Sequence, residues 1–342
     1  MDGGSDLAQP DWHEADAIIG AGADDDYRIA PTAPAALYRD RAPAFAAILE
    51  SAPVRIAAED YERDDKTAVD AQRGFKRAAT RANLSVLIIA MLGVGVLLLA
   101  LYDAPSFAVL SLGIAGAVTG AYAAFLSQRL RQTRLFERWM SGRADAEERR
   151  REYFALMTQT DASATGPDAA LLPSLRLEYF RRYHLEVQTR YYDQRAQQHQ
   201  RESDRTATFG AFAVFLAALF TGIGGALGSG VNTAWTGLAA LGVLGAALTS
   251  FATTRESISQ DARNAERYAR THAALRRLAA RIDEVRDAVA AGNLQAMTEF
   301  VAAADQHLSV EHRQWLSDAD STREGLAKLD EALTAGLKKA PE

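Results

Sequence analysis

Side chains able to carry acid–base or metal chemistry are few in this chain. It has six histidines, His13, His184, His199, His272, His307 and His312, and no cysteine. Without thiols, disulfides, thiolate metal sites and cysteine nucleophiles are excluded, which leaves imidazole and carboxylate. No histidine keeps a metal-ligand spacing with a carboxylate. His184 stands on an apolar seam, where a packed core histidine is the expectation. His307 and His312 fall on an amphipathic stretch and read as solvent or stalk contacts, and the run Asp24-Asp25-Asp26 reads as a solvated tail. The segment Gly222-Ile223-Gly224-Gly225-Ala226-Leu227-Gly228 resembles a dinucleotide loop in outline. No strand precedes it, no acid follows at about 20 residues, and it lies in an apolar run, so Gly224 and Gly228 are assigned to helix packing or a turn. Ile18-Ile19-Gly20-Ala21-Gly22 lacks the third glycine and reads as coil. No nucleophile elbow, P-loop or paired-carboxylate arrangement occurs. We expect no enzymatic activity, no cofactor and no bound metal. The net charge of −6 and pI of 5.6 argue against a nucleic-acid partner.

The elements that position these residues are set by where charge is missing. The mean hydropathy of −0.15 describes a soluble protein, but Ala82–Tyr102, Ala104–Gln128 and Thr206–Thr254 hold none of the 82 charged side chains. A membrane helix needs about 20 apolar residues. Residues 84–102 and 107–126 meet this requirement. The third window divides at Gly228-Ser229-Gly230-Val231-Asn232 into 209–227 and 233–254. Buried helices of soluble proteins are seldom charge-free all round, so each pair reads as a transmembrane hairpin with a tight turn. The first apolar run starts after residue 80, which does not fit a cleaved signal peptide; it suits an uncleaved signal-anchor. Arginines flank the outer ends of every span, among them Arg73, Arg77, Arg129, Arg131, Arg201, Arg205, Arg255 and Arg263, and both turns lack Lys and Arg. The positive-inside rule then places both termini and the central region in the cytoplasm. The spans contain hydroxyls and no ionisable group, which disfavours an ion-coupled transporter. Gly116, Gly120 and Ala124 form a small-xxx-small ladder suited to close helix approach, within the chain or between copies.

The remaining segments are polar and helix-forming. Residues 1–55 read as an acidic Ala/Pro/Asp-rich tail, with a short helix near Ala42–Leu49. Residues 56–157 form a first two-transmembrane helical module, 158–173 a linker containing Gly166, Pro167 and Pro173, and 174–337 a second module ending in one or two helices. Leu177, Phe180, His184, Val187 and Tyr191 recur every three or four residues, as do Leu275, Leu278, Ile282, Val285 and Val289; both are narrow seams of the coiled-coil type. The expected fold is therefore an all-α membrane protein: two transmembrane hairpins, four spans, and long coiled-coil-like cytoplasmic helices.

Three motifs in the second module carry a resemblance. They are Tyr191-Tyr192-Asp193-Gln194-Arg195-Ala196, then Tyr268-Ala269-Arg270-Thr271-His272, then Glu311-His312-Arg313-Gln314-Trp315-Leu316. Together they resemble the bacterial SLATT family, two-transmembrane effector domains associated with SMODS and SLOG genes. Tyr191, Arg195, Tyr268, His272, His312 and Trp315 are the motif residues of interest. The first module, with Ala36-Leu37-Tyr38 and Ala71-Gln72-Arg73 before its hairpin, looks like a second, divergent copy in tandem. The resemblance implies a membrane effector of the bacterial inner membrane, triggered by a nucleotide-signalling or sensor protein partner. Such an effector would act in antiphage defence as a homo-oligomer that forms a pore or perturbs the bilayer. The competing reading is a non-catalytic membrane-anchored scaffold or adaptor with a helical interaction module.

Overall fold

The structure is a computed structural model and describes residues 12–20, 32–159, 168–227, 233–317, 322–329 and 331. Gly228 and the rest of the second expected turn, Asp24–Asp26, and residues 160–167 of the expected linker lie outside the described residues. So do the side chains of His312 and Trp315. Among the described residues there is no strand. The helices are α1 (Trp12–Ile19), α2 (Thr32–Tyr38), α3 (Pro43–Leu49), α4 (Ala52–Leu101), α5 (Ser106–Thr133) and α6 (Leu135–Thr158). They continue with α7 (Leu172–Phe180), a π turn (Arg181–Glu186), α8 (Val187–Leu227), α9 (Thr233–Ser259), α10 (Asp261–Ala279), α11 (Ile282–Ala290) and α12 (Leu294–Ser317). Residues 322–329 form a further helical stretch.

Two compact units divide the chain: unit 1 is Met1–Asp70, Arg138–Gln197 and Ala265–Leu316, and unit 2 is Ala71–Glu137, Gln198–Asn264 and Ser317–Glu342. Unit 1 has an aromatic core in which Tyr38, Phe45, Tyr153, Phe154, Tyr179, Phe180 and Phe300 are buried. Edge-to-face contacts such as Phe45–Tyr179 (5.4 Å) and Tyr153–Phe154 (5.0 Å) add to the burial of large apolar area. The segment read as a tail contributes α1–α3, which bury Ala15, Ile18, Ile19, Phe45 and Leu49 in this core. α3 starts with Pro43 and lacks a side-chain cap of its own. Asp168 supplies one, its carboxylate accepting from the Ala44 and Phe45 amides at 3.1 and 3.2 Å, so an acid meets the positive end of the helix dipole.

Unit 2 is built from the apolar parts of α4, α5, α8 and α9. The stretches Ala52–Leu101, Ser106–Thr158 and Leu172–Ala226 are each long and apolar enough to cross a membrane, and only 11% of each apolar window is buried within the chain. α4 ends where Asp103 takes a left-handed conformation (φ 51°). The Ala104 amide there bonds back to the Leu99 carbonyl at 2.9 Å, and Pro105 blocks continuation. The exit helices break in the same way at two non-glycine residues. Arg134 (φ 47°) separates α5 from α6, and Gln260 (φ 52°) separates α9 from α10. Each break lies six residues beyond the last uncharged residue of its window, Gln128 and Thr254.

Candidate functional site: the motif cluster and the glycine-packed hairpin

The seam residues Leu177, Phe180, His184 and Val187 are buried, and the seam runs through the π turn into α8. That helix therefore presents Tyr191 and Tyr192 to α10, which carries Tyr268. The three rings pack at 5.2, 5.5 and 6.3 Å between centroids. The Arg195 guanidinium lies 5.4 Å from the Tyr191 ring centre, a cation–π distance. His272 donates from Nδ1 to the Thr189 carbonyl at 3.0 Å, and its Nε2 is 3.9 Å from Asp193. From α12, Glu311 accepts from the Tyr192 hydroxyl at 3.1 Å and sits 3.4 Å from Arg267 Nε. The structure thus brings four motif residues, Tyr191, Arg195, Tyr268 and His272, to one place. It adds Tyr192, Arg267 and Glu311 as the polar centre. Burial pushes the Glu311 carboxyl up against the pull of Arg267, and burial with the Glu311 charge pushes the Tyr192 hydroxyl well above its ordinary range.

The first module supplies charges to the same neighbourhood. Arg143 of α6 pairs with Glu147 at 2.6 Å and lies 3.7 Å from Asp65 of α4. Arg150, almost fully buried, pairs with Glu147. Sequence reasoning passed over Arg143, Glu147 and Arg150 because they sit in the charge-rich stretch Arg143–Arg151, where solvated faces are the expectation. Their spacing of three and four residues, one helical face, was the available signal. Near them His184 is buried with its ring 4.3 Å from Phe154, and neither ring nitrogen is hydrogen-bonded within the described residues. Its Nε2 is 3.9 Å from Asp305. Burial, aided by Arg150, holds the imidazole well below its ordinary value, and burial raises the Asp305 carboxyl to about 6.

Tyr192, Arg150, Arg267 and Glu311 are buried here, which suits the cluster to holding helices together. Among the described residues no three His, Asp or Glu side chains gather as metal ligands. A polar cavity of about 240 Å³ in unit 2, lined by Glu256, Gln260, Arg263, Glu324, Gly325 and Lys328, carries mixed charge.

In the hairpins, Gly116, Gly120 and Ala124 are half-buried, and a Cβ on Gly116 would lie 4.0 Å from that of Leu92 on α4. Gly224 is buried. The closest approach lies elsewhere. A Cβ on Gly245 of α9 would come within 2.6 Å of the Ala217 backbone on α8, and one on Gly242 would strike Thr221. Sequence reasoning missed Gly242 and Gly245, although they sit three apart in an Ala/Gly/Leu run.

Helices that expose apolar surface over membrane-spanning lengths, joined in one chain to a buried polar and aromatic core, define an all-helical membrane protein. Residues 180–315 match the family model SLATT_1, described as SMODS and SLOG-associating 2TM effector domain 1. The matched segment runs from the π turn to α12 and covers the three motifs as far as Trp315. No curated protein and no solved structure gives a match.

Proposed function

We propose that the chain is a four-span membrane effector of a bacterial conflict or antiphage system, acting as a homo-oligomer that opens a pore or perturbs the bilayer when a nucleotide-signalling or sensor protein engages it. The observation that carries this reading is the effector-family match over a segment whose long helices leave most of their apolar surface exposed. Large exposed apolar surface on a chain with so polar a remainder calls for lipid. The reading also takes residues 56–157 as a second, divergent module in tandem. Its support is the left-handed break at the same distance past each apolar window, and the equal length of the hairpin segments Ala71–Glu137 and Gln198–Asn264. The arginine flanks favour the inner membrane with both termini cytoplasmic, and the two seams favour coiled-coil-like pairing of the polar helices.

Overexpression in cells loaded with a membrane-potential dye tests the effector activity. Depolarisation is expected on triggering; unchanged potential at high expression with the trigger present would favour the scaffold or adaptor reading. The native chain has no cysteine, so Ser106→Cys and Gly230→Cys report topology. Both should react with a membrane-impermeant maleimide added from outside, and failure to label would overturn the four-span orientation.

A further inference from the structure

The eight residues of α1 are held by contacts along their whole length, all within unit 1. Ala15, Ile18 and Ile19 are buried. At one end the Arg286 guanidinium lies 5.7 Å from the Trp12 ring centre. In the middle, Asp16 accepts from Arg181 at 2.9 Å and lies 3.5 Å from Arg182. At the other end the Ile19 carbonyl accepts from both the Tyr38 and Tyr183 hydroxyls at 3.3 Å. Gly20 (φ +79°) then closes the helix, its amide bonding to the Asp16 carbonyl at 3.0 Å, the left-handed cap that favours glycine. Three of these partners, Arg181, Arg182 and Tyr183, are consecutive residues of the π turn, a geometry rare in proteins and concentrated at functional places.

An eight-residue helix is too short to be stable alone in water. Its order here therefore comes from the groove, and what the groove supplies is a recognition code: a cation over an aromatic ring, two arginines for an acid, and paired hydroxyls for a terminal carbonyl, with Glu178 holding both Arg181 and Arg286 in place. We propose that α1 is a displaceable intramolecular ligand and that the groove floored by α7 and edged by α2, the π turn and α11 is a docking site for a short acidic amphipathic helix. The chain's own Trp12–Ile19 is the resident occupant. A partner able to displace it would present the same pattern, an aromatic residue, an acid four positions on, and two aliphatic residues two and three positions beyond the acid. The docking stands whether or not the hairpins conduct.

Hydrogen exchange on the full chain tests this. If α1 opens by itself, the amides of Ala15–Gly20 exchange at least tenfold faster than those of Leu177–Phe180 in α7. Exchange of both segments together at one rate would make α1 a fixed part of the core and overturn the proposal. The full-length double variant Asp16→Lys, Ile19→Asp should lose protection in α1 and keep it in α7. A fluorescein-labelled peptide of residues 12–20 should then bind that variant saturably, and a peptide carrying Asp16→Lys at least tenfold more weakly. Loss of α7 protection together with that of α1, or no saturable binding by the native peptide, would equally overturn it.

Discussion

Units 1 and 2 share one rule on the inside of their helices and follow opposite rules on the outside. Along α4 the inward stripe continues from Val54, Tyr61 and Ala68 in unit 1 to Phe75, Ala82 and Val94 in unit 2, all buried. The outward positions change from Arg55, Glu59 and Glu62 to Ile88, Met91 and Leu97. The cores differ as well. Unit 1 fills its interior with large rings and pairs its buried charges. Unit 2 draws backbones together over Gly242 and Gly245 and around a small cluster of Ala82, Ala123, Leu126 and Leu329. Water drives the burial of large apolar side chains, whereas lipid tails are as apolar as the helices, so close backbone packing must hold the spans together. The difference is that expected of one set of helices serving two solvents.

Removing a large ring should separate the two units most strongly. Phe180→Ala in unit 1 is expected to cost about 3–5 kcal/mol, while Phe215→Ala, 58% exposed in unit 2, should cost less than about 1 kcal/mol. Thermal denaturation in detergent micelles followed by circular dichroism measures both; equal losses would erase the distinction. Next comes the buried ion pair: Glu311→Ala removes the carboxylate beside buried Arg267 and should cost about 3 kcal/mol. Adding Arg267→Met should restore at least half of that loss, and no recovery would mean that Glu311 acts through something other than its charge. Within unit 2, Gly245→Ala meets the Ala217 backbone and should cost about 1–3 kcal/mol. Gly113→Ala, which meets open space, should be neutral or slightly stabilising.

The smallest effect is in pH. The folded chain holds the Asp305 carboxyl at about 6, above its ordinary 3.8, so it binds that proton more tightly than the unfolded chain does. Acidification from pH 6 to 4 therefore stabilises. His184 acts with opposite sign. Its folded value is depressed below 6.5, so the unfolded chain takes up the proton first and acidification below 6.5 destabilises. The two contributions oppose each other, and the native protein should stay within about 1 kcal/mol between pH 6.5 and 4.5. Asp305→Asn removes one stabilising contribution and leaves that of Glu311, also raised by burial, so its melting temperature should fall relative to the native chain's as the pH drops over that range; parallel profiles would show that Asp305 does not hold its proton near pH 6.

Much of the apolar architecture was legible because it rests on charge alone. The expected spans 84–102 and 107–126 fit the end of α4 and the body of α5. The expected spans 209–227 and 233–254 fall within α8 and α9. The seams were legible because a period between three and four survives in sequence. Docking of residues 12–49 was not, since α1–α3 are seven or eight residues long, too short to show a period, and Asp168 caps α3 from across the chain. The π turn was hidden because one extra residue in a turn leaves no compositional mark. The breaks at Arg134 and Gln260 were hidden because neither is glycine or asparagine, the residues that normally announce a left-handed position. At the motif cluster, residue types flagged Tyr191, Tyr268 and His272, but only folding shows that Glu147 and Arg150 of another helix, α6, join them.

Those two breaks also set how the chain can tolerate insertion. α4 and α8 run uninterrupted into their spans, so one added residue turns everything beyond it by about 100° and swaps inward for outward faces over the whole remaining helix. A left-handed residue ends that accounting: α6 and α10 start their own phase at Leu135 and Asp261, and an added residue near the break can be absorbed there. Each hairpin therefore has one strand of rigid phase and one with a built-in reset, and length variation should collect on the exit side.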